Sequence, residues 1–163
     1  MIQLARWDVP RVAVDAIVIH GRKLVLVRRG NEPFRGMLAL PGGFVEFGES
    51  LEEAVRREVR EETGLETRVE RLLGVYGDPG RDPRGHTISV AYVLRSVGGE
   101  LRAATDAAAA KSVAVGRVPR LAFDHDRIVA DFRKLRGRRP GAATSPSRGR
   151  GGTRLRSGGP RRG

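Results

Sequence analysis

The sequence predicts an α/β (α+β) protein in which one mixed β-sheet lies between helices. Three observations carry that expectation. Val- and Ile-rich runs recur between turn signals, two stretches show helical spacing, and these helices are interleaved with the strands rather than gathered at one end. At 163 residues the chain suits a single domain, and no internal repeat is visible.

Residues 11–19, RVAVDAIVI, and 23–28, KLVLVR, flank His20-Gly21-Arg22 and read as an antiparallel hairpin. RGNEPFRGM is a loop. LALPGGFVEFG reads as a short strand, a Pro-Gly-Gly turn and a second extended piece. A helix is expected over 51–63, where Ser50 with Glu53 forms a capping box and Gly64 supplies a left-handed stop. TRVERLLGVYGD and HTISVAYVLRSV are further strands, separated by the loop DPGRDPRGH. GGELRAATDAAAAKSVAVGRVP reads as a turn, a short strand, an Ala-rich loop and another strand. In AFDHDRIVADFRKLR the residues Phe123, Ile128, Val129, Phe132 and Leu135 recur at helical spacing.

Composition excludes several classes. The chain is 39% hydrophobic, and no apolar run approaches the roughly 18 residues of a membrane helix. The start, MIQLARWDVPRVAVDAIVIHG, lacks a basic leader, a continuous apolar core and a small-residue cleavage site, so no signal peptide is expected. The lack of cysteine excludes disulfides and Cys-ligated zinc or iron–sulfur centres and fits a reducing compartment; a cytoplasmic protein is expected. The net charge of +12 is concentrated at one end. Residues 136–163 hold nine Arg and no acid, which leaves residues 1–135 near +3. A domain over 1–135 and a disordered Arg/Gly-rich tail over 136–163 are therefore expected, the tail serving as a solubilising extension or a weak, salt-sensitive anchor for a polyanion.

The stretch GFVEFGESLEEAVRREVREETGL holds seven glutamates in its 23 residues. Counting about 100° per residue from Leu51, Val55, Val59 and Ala54 form a buried arc. Glu58 and Glu62 fall within about 20° of its centre and Glu61 at its edge, whereas Arg56 and Arg60 face water. Buried carboxylates need cations, unless the helix rolls them toward solvent. Arg57 can reach one carboxylate, Glu49. The remaining hard oxygens suit Mg²⁺, with Mn²⁺ as a substitute.

At this point Gly43, Glu49, Arg57, Glu58, Val59, Glu61, Glu62, Gly64 and Leu65 stand at the spacing of the Nudix box, and every fixed position is satisfied. The likeness extends over roughly 11–135, through LPGG and LAFDHDRI. The chain thus resembles the Nudix hydrolases, and within them the ADP-ribose pyrophosphatase-like branch. The resemblance implies an α/β/α sandwich and cleavage of a nucleoside diphosphate linked to another moiety. It implies metal binding by Glu58, Glu61 and Glu62 with the Gly43 carbonyl, and an internal Glu49–Arg57 pair joining loop to helix. A carboxylate near the attacking water, Glu61 or Glu58, would take its proton.

The segment VYGDPGRDPRGHTISVAYV bears on the substrate. Pro79 lies 14 positions after Leu65, as in that branch, and Arg81 and Arg84 would give a diphosphate bidentate partners, with His86 contacting phosphate or ribose. Two positions depart from the family's usual pattern. Leu38 stands where an aromatic is common, and Ala109 stands where a loop glutamate is common, leaving Asp106 as the nearby acid. Competing readings are a nucleoside triphosphate pyrophosphatase of the same fold and a non-catalytic nucleotide-sensing module whose tail binds nucleic acid. Relatives of this kind are commonly dimers, so a homodimer is expected.

Overall fold

The computed structural model describes residues 9–102 and 110–137. Its elements in chain order are β1 (Arg11–His20), β2 (Lys23–Arg28), β3 (Leu38–Ala39), β4 (Gly42–Phe44), α1 (Leu51–Thr63), β5 (Leu65–Tyr76), β6 (Thr87–Gly99), β7 (Ala110–Ala114) and α2 (His125–Gly137). The strands form one sheet in the order β3-β2-β1-β6-β5, with β4 added to β1 and β7 to β2. β1 and β6 run parallel from Arg11↔Thr87 to Ile19↔Arg95, and the other pairs are antiparallel, so the sheet is mixed.

Alternation along β1 sends side chains to two cores. Val14, Ala16 and Val18 join Ala54, Val55 and Val59 of α1, while Ile17 and Ile19 join Ile128, Val129 and Phe132 of α2. A strand covered on both faces reads as a continuous apolar run rather than an alternating one, which explains RVAVDAIVI. The one acid in that run, Asp15, falls on the α2 face with Ile17 and Ile19. Removing a fully buried side chain here, as in Ile128→Ala, should cost about 2–5 kcal/mol.

β1 also sets the place of the site. Its second half pairs with β2 at Ile19↔Leu24 and His20↔Lys23, and its first half pairs with β4 from Ala13↔Phe44 to Asp15↔Gly42. Between these two partners the chain runs away through β3 and returns through the Pro41 turn, whose carbonyl accepts from Ala16 N–H at 2.8 Å. The sheet is therefore split along one edge of β1.

The helix α1 begins and ends where its sequence signals stand. Ser50 accepts from Glu53 N–H while the Glu53 side chain accepts from Ser50 N–H, and Gly64 closes the helix at φ 77°. Other boundaries differ. β5 starts at Leu65, directly after the cap, rather than at Thr67, because its first pairs with Gly99 and Gly98 extend the antiparallel ladder. Gly98 and Gly99 lie in β6, and no strand forms over 100–102. The Ala-rich loop with Asp106 and Ala109 lies outside the described residues. α2 starts at His125 and carries through Arg136 to Gly137; the rest of the basic tail lies outside the described residues. Among the described residues no helix is long and apolar enough to cross a membrane.

Candidate active site

Arg57 organises the carboxylate helix. It grips Glu49 with two bonds, Nε to Oε2 at 3.0 Å and Nη2 to Oε1 at 2.6 Å, and Nη2 also donates to the Phe44 carbonyl at 3.2 Å. This ties the loop before α1 to β4 and to the helix itself. Hydrogen bonds from Arg57, with one from Glu46 N–H, hold the Glu49 carboxyl down at about 2. Arg57 Nη1 reaches Glu58 Oε1 at 2.8 Å and Glu61 Oε2 at 3.4 Å. Glu58 lies against Gly43, where any Cβ would overlap its carboxylate, and a Cβ at Gly42 would strike the Val14 carbonyl. Two glycines in a row are thus required by close approach.

Glu58 and Glu62 are half-buried, but the Glu61 side chain is 56% exposed, so the helix buries two of the three carboxylates expected to face inward. Glu62 Oε2 accepts from Gly42 N–H at 3.0 Å. Burial, with the charges of Glu58 and Asp15, pushes the Glu62 carboxyl up to about 7, against the pull of Gly42 N–H and Arg29. Among the described residues no three His, Asp or Glu side chains stand close enough together to hold a metal ion. Arg57 draws Glu58 and Glu61 to itself, while Glu62 turns to the glycine turn.

The donor set nevertheless suits a hard divalent cation. One guanidinium serves Glu46, Glu49, Glu58 and Glu61, an excess of negative charge. Among the described residues Glu58 Oε2, Glu61 Oε1 and Glu62 Oε1 accept no hydrogen bond, which leaves three carboxylate oxygens for such an ion.

Glu62, Gly42 and Gly43 line a cavity of about 350 Å³ at the split in the sheet. Arg29, Arg84, Phe123, Arg81, Asp15 and His125 also line it. Arg84 is 44% exposed and is paired with Asp82 through Nε at 3.0 Å and Nη2 at 2.8 Å. Arg81, expected to offer its fork to a diphosphate, is only 4% exposed. It spends that fork on Asp124, at 3.1 and 2.6 Å, and reaches Asp15 at 3.4 Å. His86 stands apart from the cavity wall and bridges the ends of its loop, Nε2 lying 3.2 Å from the Gly77 carbonyl. Leu38 is buried and packs with Leu40 and Leu121 in the α2-side core.

A buried network behind Arg81 was not found by sequence reasoning. Asp15 receives Ser89 Oγ–H and faces His125 Nε2 at 3.3 Å. Leu40 N–H donates to His125 Nδ1 at 3.0 Å, so the neutral ring carries its proton on Nε2, toward Asp15. Burial raises the Asp15 pKa, but His125, Ser89 and Arg81 outweigh it and hold the carboxyl below the usual range. A lone acid inside an apolar strand was the available signal. Arg29 and Phe123 were missed as well, and nothing in their local sequence marks them.

Fold and site together define a hydrolase of the α/β/α sandwich class. The NUDIX domain matches residues 9–132, and the chain belongs to the Nudix family. An ADP-ribose pyrophosphatase of Methanocaldococcus jannaschii is 54% identical over 123 residues, covering 76% of this chain and 73% of that protein. The NUDIX domain of Shewanella oneidensis NrtR, solved in complex with ADP ribose, matches with a TM-score of 0.69 and 29% identity over 79% of this chain and 90% of that one. A bifunctional NMN adenylyltransferase/ADP ribose pyrophosphatase from Francisella tularensis, solved with AMP and a Mn ion, matches with a TM-score of 0.70 and 29% identity. That match covers 80% of this chain and 43% of the other.

Proposed function

We propose that the protein hydrolyses the pyrophosphate of ADP-ribose, or of a closely related nucleoside diphosphate joined to another moiety, with Mg²⁺ as its metal. The observation that carries this reading is one cavity lined both by Glu62 with the Gly42-Gly43 turn and by the Arg29 and Arg84 side chains. The 54% identity to an ADP-ribose pyrophosphatase supports the substrate. Glu58, Glu61 and Glu62 with the Gly43 carbonyl would hold the metal, which when bound supplies a more acidic water and charge neutralisation at the phosphates.

The chain's own groups do the rest. Glu49 and Arg57 keep the loop before α1 docked on the helix. Glu61, the most exposed carboxylate of the set, is the group we assign to take the water's proton, with Glu58 as the alternative. Arg29, which has no carboxylate partner among the described residues, is the main group for the diphosphate. Arg84, held by Asp82 but 44% exposed, adds positive charge beside it, and Arg81 holds the Asp78–Arg84 loop in place through Asp124. A cytoplasmic homodimer is part of this reading; the exposed Leu72, Val75 and Val97 on β5 and β6 give a dimer an apolar surface.

The test is a substrate panel of ADP-ribose, NADH, diadenosine polyphosphates and nucleoside triphosphates with Mg²⁺. ADP-ribose should give the highest kcat/KM and yield AMP and ribose 5-phosphate. A clear preference for triphosphates would overturn the assignment.

A further inference from the structure

A second cavity, of about 490 Å³, shares no lining residue with the candidate active site. It lies toward the other end of β1, where Ile19, Gly21 and Arg22 of the turn into β2 line it. Ile19 stands four residues along the strand from Asp15 and on the same face, so about 13 Å separates them at about 3.3 Å per residue. Ile19, Val93 and Phe132 join this cavity to the α2-side core. Its charged lining is Arg22, Arg71, Arg95 and Arg136 against one acid, Glu70. The four arginines come from the β1–β2 turn, β5, β6 and the last turn of α2, so only folding brings them together.

Glu70 is already partnered. It accepts from Arg95 Nε at 2.6 Å and lies 4.0 Å from Arg68 Nη2. Arg68 and Arg95 stand opposite each other across β5 and β6, a pairing of like charges that needs an anion, and Glu70 supplies it from the register shift between Val69 and Arg71. Nothing equivalent serves Arg22 or Arg71, which are exposed and have no acidic partner among the described residues. The negative end of α2 accounts for Arg136. It does not account for Arg22 and Arg71, which come from a turn and a strand. Solvated arginines scattered over a basic chain need not line one cavity, and these do. Residues 138–163 follow directly on Arg136 and Gly137 and hold eight more arginines, with no lysine and no acid.

A guanidinium fork matches phosphate oxygens in pairs, which is the use to which converging, unpaired arginines are suited. A flat bilayer does not reach into a cavity, and none of the large exposed hydrophobic residues lines this one, so nothing there inserts into lipid. Phe132, its aromatic lining residue, is buried and offers no face to a base. A flexible strand of linked phosphates fits what remains, and Arg/Gly-rich segments like the one that follows are partners of single strands.

We propose that this cavity binds the phosphate backbone of a single-stranded nucleic acid, at a place separate from the hydrolytic site, with the arginines of 138–163 adding charge along the same strand. The experiment follows the fluorescence anisotropy of labelled oligouridine on the full chain over a series of salt concentrations. Each phosphate contact to a single strand adds about 0.7 to the slope of log K against log salt, so Arg22→Glu with Arg71→Glu should lower the slope by about 1.4. The same variant should weaken binding about 10-fold or more, with an unchanged circular dichroism spectrum. Arg56→Glu with Arg60→Glu changes the net charge equally, but on α1 across the sheet, and should weaken binding by less than about 3-fold. Where charge reversal disturbs the fold, Arg22→Gln with Arg71→Gln reads the same two contacts. The proposal is overturned if wild type does not bind oligouridine, or if the cavity and α1 variants weaken binding equally. It is overturned too if the chain binds only polyglutamate, or only vesicles of equimolar phosphatidylserine and phosphatidylcholine.

Discussion

Two arginines anchor the site, and they differ in what they leave over. Arg57, at the α1 side, is 18% exposed and shared among four carboxylates. Arg81, at the α2 side, is 4% exposed and satisfied by Asp124 and Asp15, and Asp15 is itself closed off by Ser89 and His125. The first network is short of positive charge and partly open to water. The second has one guanidinium for two carboxylates, with Ser89 and His125 completing the partners of Asp15, and is largely closed to water. An open, underpaired network can take up an ion, whereas a closed one holds its shape. Chemistry is assigned to the first and positioning to the second.

The largest effect should come from emptying the first network of its function. Glu61→Gln should cut turnover by about 10²- to 10⁴-fold with an unchanged circular dichroism spectrum, and excess EDTA should abolish activity. Activity that survives both rules out the metal mechanism. Next, the two arginines should separate by the property they damage. Arg81→Ala leaves Asp15 buried without its cation and should cost about 3–5 kcal/mol in denaturant unfolding. Arg57→Ala should show the smaller loss of stability and the greater loss of turnover. Equal losses of stability would erase the distinction.

A subtler effect concerns acid. The folded pKa of Asp15 lies below its ordinary 3.8, so the native state binds fewer protons than the unfolded chain as pH falls. Its stabilisation is whole above that ordinary value and is lost as pH drops through the folded one. The gap in unfolding midpoint between wild type and Asp15→Asn should therefore narrow from pH 7 to pH 3; a constant gap contradicts the buried-charge account. The smallest effect is expected at the tail. Deleting residues 138–163 should leave the Tm and small-nucleotide turnover nearly unchanged while weakening salt-sensitive retention on heparin.

The same pair of arginines explains what could be read in advance. Arg57 meets Glu49 and Glu61 eight and four residues away, distances fixed by one loop and one helix, so sequence spacing exposes them. Arg81 meets Asp124 and Asp15 at separations of 43 and 66 residues, a meeting that exists only after β1, the Asp78–Arg84 loop and α2 have packed. The helical wheel placed Glu58 and Glu62 well and put Glu61 too far inward. An arc drawn on an isolated helix does not show that the Pro41 turn meets Glu62 of the last turn and leaves Glu61 exposed. The parallel β1–β6 pairing was equally hidden, because it joins strands on opposite sides of α1 in the chain.

The split edge of β1 has a kinetic consequence. Each residue from Arg11 to Ile19 is bound to β6, while β4 and β2 hold parts of the other edge, so this strand lies in the interior of the sheet. Interior strands release their amides to deuterium only through openings close to global unfolding. Asp15, Gly42 and the cavity floor hang on that strand. Heat inactivation of the enzyme should therefore coincide with melting of the whole domain, with slow exchange at Val14–Val18 until that temperature and rapid exchange at Glu46–Gly48 well below it.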